Sequence, residues 1–378
     1  MRKLTAPGLL VAIGLLNALP VGLRAQDIGQ PVGQEDNTAY GTTAAEFLLL
    51  GAGARGTALG SSFAAIATDI SALYYNPAGI ALLPRAGLMI GTYDYIAETR
   101  YSWGGVAFPI SGGARTIGLQ LGTFGFGDQP VYTEEQPDGT GATYSVNQTF
   151  VGATFAQNFS DRFSAGLTAK YVSDRLGTVS GSAFAVDFGT NFHAKLGNHP
   201  VNFSFVLTNL GSNLTYSGTG LQGAVNREPI AGEDEISTLP QQANLLTKDF
   251  GLPTTFRVGL AYEAISRENN RLTFLGDFSQ PNNNTPGFAL GSEWMSTNLG
   301  GSAFGFALRG SYSYTGANNV DPTNLATALN DEENLQGLAF GGGLQYGRSE
   351  GFSLGLDYAY KYLGVLGPTN FFSFTLGW

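Results

Sequence analysis

The chain of 378 residues has no cysteine, which excludes a disulfide framework, a thiolate metal site and a cysteine nucleophile. Only two histidines are present, His193 and His199. Neither has acidic residues at metal-ligand spacing or a visible nucleophile partner, so hydrolytic and metal chemistry lack candidates, and no cofactor is implied. Charged residues make up 13% of the chain, about half the soluble average. The net charge of −10 argues against nucleic acid as a partner. No apolar run reaches the roughly 18 residues that a membrane-crossing helix needs. A chain of this kind enters a membrane only by strands, because only helices and closed barrels satisfy every backbone group in lipid.

What is abundant points the same way. There are 54 glycines, 26 phenylalanines and 17 tyrosines; aromatics favour strands, and glycine marks turns and crowded interiors. From residue 87 onward, segments of about ten residues alternate apolar with small or polar side chains, the pattern of a transmembrane barrel. Phe352, Leu354, Leu356, Tyr358, Tyr360 and Tyr362 thus alternate with Ser353, Gly355, Asp357, Ala359 and Lys361. The pattern predicts strands over 87–96, 101–110, 115–124, 148–159, 162–173, 183–195, 200–208, 254–265, 271–279, 286–296, 302–315, 337–347, 352–362 and 369–378. That is fourteen, the even number that single-chain bacterial barrels show. Connections after even-numbered strands are short, and the long ones (125–147, 209–253, 316–336) all follow odd-numbered strands. Periplasmic turns are short and external loops long in this architecture, so both ends of the chain are expected in the periplasm of an outer-membrane protein.

The termini agree. Arg2 and Lys3 precede an apolar stretch from Leu9 to Leu19, and Ala25-Gln26 offers a cleavage point, the shape of a secretory signal peptide over residues 1–25. Residues 26–43 read as a flexible N-terminal segment. At the other end, Phe372, Phe374, Leu376 and Trp378 share one face of the last strand, opposite Phe371, Ser373, Thr375 and Gly377. A chain that stops on such an aromatic looks like the closing strand of an outer-membrane barrel, where Phe374 and Trp378 would serve the barrel-assembly machinery as a signal.

Nine charged residues fall on the small or polar faces of the predicted strands: Lys170, Asp187, Arg257, Glu263, Asp277, Glu293, Arg309, Asp357 and Lys361. On a lipid-facing surface each would cost about 2–4 kcal/mol at midplane, so they belong inside, paired with one another or with a plug. Fourteen strands enclose more space than wall side chains fill. Residues 44–86 are the natural occupant: apolar, rich in small residues and not strand-like, with a short helix expected over 61–72 and a turn at Asn76-Pro77. Gly51, Gly53 and Gly56 spell G-x-G-x-x-G there. That spacing signifies dinucleotide binding only within a βαβ unit, and no parallel α/β pattern follows.

The stretch GARGTALGSSFAAIATDISALYYNPAGIA resembles the N-terminal signature of the PorV/PorQ family, within the wider FadL-like barrel group. The positions that carry the resemblance are Gly53, Ala54, Arg55, Asp69, Tyr75, Asn76, Pro77, Ala78 and Gly79. It implies an all-β fold, a fourteen-stranded antiparallel barrel over 87–378 with an N-terminal hatch inside it. PorV-like members imply a shuttle that binds secreted cargo proteins and translocon components of a type IX secretion pathway. FadL-like members imply instead a transporter of long-chain fatty acids or other hydrophobic small molecules. The three long loops suit the cargo reading as broad exposed surface; their thirteen acids against Arg227 and Lys248 read as a solvated face, or as ligands for divalent cations that bridge to lipopolysaccharide beside the outer-membrane lipid. Gly122, Gly125 and Gly127, interleaved with Phe124 and Phe126, suit the transporter reading, because glycines kink or bulge a strand and so open a gap in the wall.

Overall fold

The computed structural model describes residues 41–60, 62–225, 241–315, 337–347 and 351–378. The expected signal peptide lies outside these residues. Of the segment expected to be flexible only 41–43 are described, and Thr43 bridges Gly251.

Fourteen antiparallel strands form the barrel: β1 (Gly87–Asp94), β2 (Arg100–Ile110), β3 (Arg115–Pro130), β4 (Thr143–Ser160), β5 (Phe163–Leu176), β6 (Val179–Leu196), β7 (His199–Gly211), β8 (Thr255–Arg267), β9 (Asn270–Pro281), β10 (Gly287–Ser296), β11 (Phe304–Thr315), β12 (Leu338–Gly347), β13 (Ser353–Tyr362) and β14 (Pro368–Gly377). Each pairs with its neighbour in sequence, and β1 pairs with β14 in the register Gly87↔Gly377 to Thr92↔Phe372, which closes the cylinder. Closure leaves no edge strand to be satisfied by lipid. Exposure alternates along every strand. Ile90, Leu119, Phe184, Leu290, Leu344 and Phe372 are exposed outward, whereas Met89, Gln120, Ala185, Ala289, Ala339 and Phe371 are buried inward. Trp378 and Phe374 are exposed on the outer face; the Trp378 amide donates to the Ala86 carbonyl at 3.0 Å and its ring lies 6.1 Å from that of Phe108.

The strands match the expected fourteen, with one systematic difference. β3 runs on to Pro130, β4 starts at Thr143 and β6 at Val179, so the wall continues beyond the apolar belt on this side. Loop 212–254 also carries a hairpin, Gln222–Val225 with Gln241–Asn244. These additions bond through backbone and carry few outward apolar residues, so alternation does not register them.

Residues 44–83 run through the lumen. They form α1 (Ala54–Ala58), α2 (Ala72–Tyr75) and two 3₁₀ turns, Glu46–Leu49 and Pro77–Leu82. The Pro77–Leu82 turn packs on β3 to β6 and α1 on β11 to β14, so the segment touches opposite walls. No helix forms over 62–71, contrary to the expectation for 61–72. Side chains capture the backbone there: Asn76 Nδ2 donates to the Ala64 carbonyl at 3.0 Å, and the Asp69 carboxylate accepts from the amide of Ser71, two residues on, at 2.8 Å. Such side-chain bonds compete directly with helix formation.

Candidate functional site

The wall is notched to receive the inner segment. A Cβ at Gly166 would lie 2.4 Å from the Pro77 carbonyl carbon, one at Gly189 2.2 Å from Asn76 Oδ1, and one at Gly118 2.4 Å from Leu73 Cδ2. Asn76 is fully buried in this notch, donating to Asn191 Oδ1 at 2.8 Å and accepting from the Ala78 amide at 3.1 Å, which caps the Pro77–Leu82 turn. Gly79 closes the turn against Ala67, whose carbonyl oxygen a Cβ would overlap at 1.7 Å. Asn76, Pro77 and Gly79 thus seat the segment against β5 and β6.

On the other side the seat is ionic. Arg55 donates through Nε and Nη2 to the two carboxylate oxygens of Glu293, each at 2.8 Å, and through Nη1 to Asp69 at 2.7 Å. Arg309 shares Glu293 at 2.8 Å and reaches Asp357 at 2.6 Å. The Glu293 and Arg309 side chains are almost fully buried, as a charge is only when it is paired. Burial alone would lower the Arg55 pKa; the Glu293 and Asp69 carboxylates more than reverse that and hold it above the usual arginine range. A second ion pair, Lys170 to Asp187 at 2.6 Å, sits across the lumen, and Asn209 ties it to a bulge in β7.

Between these seats lies a thin bridge, residues 48–54. Gly51 and Gly53 have φ of +88° and +73°, which side-chain-bearing residues rarely adopt. Gly56 lies against the Tyr75 ring, 2.4 Å from where a Cβ would stand. The G-x-G-x-x-G spacing is therefore a packing device. Hydroxyls fasten the bridge: Tyr74 donates to the Leu48 carbonyl at 2.6 Å and accepts from the Gly51 amide, Tyr75 accepts from the Ala52 amide at 3.1 Å, Tyr93 donates to the Leu50 carbonyl at 3.0 Å, and Ser373 accepts from the Ala54 amide at 3.0 Å. Burial pushes the Tyr75 phenol up to about 12 and Tyr74 above its usual range, so both stay protonated.

A chamber lies on each side of the bridge. The one among the short turns has a volume of about 990 Å³ and is lined by Arg55, Asp69, Met89, Tyr346 and Asp357. The one under the long loops has about 520 Å³ and an aromatic lining of Phe47, Tyr93, Tyr95, Phe124, Tyr216 and Phe371, with Asp174 and Lys361. Tyr93 and Phe371 are buried partners across the β1–β14 seam, ring centroids 3.7 Å apart. Of these aromatics sequence reading tied only Phe124 to transport, although Tyr93 and Phe371 fall on the inward faces of the first and last strands.

The glycines of β3 do not open the wall. β3 stays paired to β2 from Arg115 to Gly125 and to β4 from Arg115 to Phe126. Gly122 accommodates the inward Phe150 ring, which lies 2.2 Å from where a Cβ would stand, and the irregularity between Phe126 and Gln129 leaves Gly127 in a bulge above the paired stretch. The ladder is continuous through Gly122 and Gly125; at Gly125 a Cβ would meet the Val146 carbonyl oxygen of β4 at 1.9 Å.

No protein-family model matches the chain, and no curated protein sequence does. Among solved structures, it is similar to the Pseudomonas putida toluene transporter TodX at 12% identity, with a TM-score of 0.50 over 86% of this chain and 96% of that one. It is similar to the Ralstonia pickettii toluene transporter TbuX at 12% identity, with a TM-score of 0.51 over 87% and 98%. A third likeness is to CymD, a monoaromatic hydrocarbon channel, at 12% identity and a TM-score of 0.51 over 87% and 97%. The shared property is the fold, a closed antiparallel β-barrel.

Proposed function

We propose that the protein passes hydrophobic small molecules across the outer membrane, from the chamber under the long loops to the chamber among the short turns, with both chain termini in the periplasm. The observation that carries this reading is the pair of chambers set back to back along β1 and β14, parted by the small-residue bridge at Gly51–Ala54. Aromatic walls suit an apolar solute, as in most small-molecule sites. The fold likeness to toluene transporters and a monoaromatic hydrocarbon channel supports the same class. The resemblance to the PorV/PorQ signature carries the other reading, a shuttle for secreted cargo. Its residues Arg55, Asp69, Asn76, Pro77 and Gly79 seat the inner segment here, a task both readings require, so they do not favour the shuttle.

Passage requires the bridge to move. Since the chain has no cysteine, Ala54→Cys with Ser373→Cys places a single disulfide between bridge and wall. In liposomes, the oxidised double variant should admit no toluene above the protein-free rate, and reduction should restore uptake. Equal uptake in both states would end the proposal.

A further inference from the structure

The long-loop chamber holds two charged groups that the inner segment leaves unused, and they stand at its opposite ends. Asp174 on β5 is 1% exposed. Its Oδ2 accepts from the Tyr216 hydroxyl at 2.6 Å, and its Oδ1 has no hydrogen-bond partner. The nearest inward cation along the same strand, Lys170, is committed to Asp187 and Asn209. Lys361 on β13 lines the same chamber and makes no hydrogen bond or ion pair among the described residues. Strand register shows how the two are set apart. Asp174 pairs with Gln148, Gln148 with Phe124, Phe124 with Tyr101 and Tyr101 with Tyr93; across the seam, Lys361 pairs with Thr369 beside Phe371. Six strand intervals of about 4.8 Å each separate β5 from β13 around the wall, so the two charges face each other across the mouth with aromatic side chains between them.

A buried carboxylate oxygen without a donor is costly, and so is an ammonium held away from any anion. Two such groups of opposite sign, both opening on one chamber, are complementary to a solute that brings both missing partners. We infer that the long-loop chamber is a two-ended site for a dipolar amphiphile: an apolar body lying on the aromatic floor, a cationic amine on Asp174 Oδ1, and an anionic group on the Lys361 ammonium. The inference rests on the reading that this chamber receives hydrophobic small molecules, and it adds what is selected among them. The Tyr216 ring beside Asp174 suits the amine end as well, since ring faces attract cations.

The test is calorimetric titration of the full barrel in a nonionic detergent with four probes: 12-aminododecanoate, dodecanoate, dodecylamine and toluene. The amino acid should bind at least tenfold tighter than either singly charged chain. Asp174→Asn should abolish its advantage over dodecanoate, and Lys361→Met its advantage over dodecylamine. Both variants should keep the wild-type heat-dependent gel shift, which reports a folded barrel. If dodecanoate binds as tightly as the amino acid and Asp174→Asn is silent, the two-ended site is refuted while uptake of hydrophobic molecules stands. If toluene and all three chains fail to bind, the proposed function falls with it.

Discussion

Replacing Glu293 by glutamine tests what holds the inner segment in place. Glu293 is the common acceptor of Arg55 from the segment and Arg309 from the wall, at 2.8 Å each. Without its charge, Arg55 retains only Asp69 and Arg309 only Asp357. Breaking a buried ion pair by removing one partner costs about 3–5 kcal/mol, because the other charge stays buried. Glutamine still accepts one hydrogen bond, so the lower end applies. At about 1.4 kcal/mol per factor of ten, local detachment of the segment should rise by roughly two orders of magnitude. The readout is native-state hydrogen exchange at Thr57 and Leu59, whose amides donate to the Gly53 and Arg55 carbonyls. The strand amides of β10 should keep their protection, since the barrel ladder is untouched. Adding Arg55→Met to Glu293→Gln should cost less than the sum of the two single changes, because it removes the stranded guanidinium. Unchanged exchange at Thr57 and Leu59 in Glu293→Gln, or strict additivity in the double variant, would refute the ionic seat.

Gly79→Ala places a methyl group on the Ala67 carbonyl; overpacking of this kind costs about 1–3 kcal/mol or more, and exchange of the Leu83 amide should accelerate by at least tenfold with the barrel gel shift intact. Alkaline pH should release the segment. The buried Tyr75 phenol has its pKa raised to about 12, above the ordinary 10, so its contribution is complete below pH 10 and is lost as pH rises through 12. Tyrosinate absorbance and hydrogen exchange of the Ala52 amide should change together in that window, and Tyr75→Phe should weaken the step.

The fourteen strands were legible because lipid demands an apolar residue at every second position, and that rule acts within each ten-residue stretch. Where the wall leaves the membrane, at 125–130, 143–147 and 179–182, the demand stops and so does the signal, though the backbone ladder continues. The inner segment was legible as something small and apolar that strands would not use, but its turns were not. Asn76 reaches Ala64 and Asn191, and Asp69 reaches Arg55, bonds that outweigh the helical preference of an alanine-rich stretch. The notches at Gly166 and Gly189 are complementary to Asn76-Pro77, about a hundred residues away, and glycine in a strand carries no label of what approaches it. The aromatic chamber depends on register: Tyr93 meets Phe371 only because the first strand pairs with the last at a particular offset.

That pairing joins residues about 290 positions apart, and closing a loop of that length costs on the order of 5 kcal/mol in chain entropy. The inner segment changes how the cost is met. It is covalently continuous with β1, yet it bonds β10 through Glu293, β11 through Ser311 and β14 through Ser373. Strands made last therefore find, on a body already tethered to the first strand, a surface shaped to receive them. The encounter of the two free edges becomes a search over the short span between Ala54 and Gly87 rather than over the whole chain. The core of this cylinder thus ties the first strand to the last ones by contacts of its own, apart from the seam.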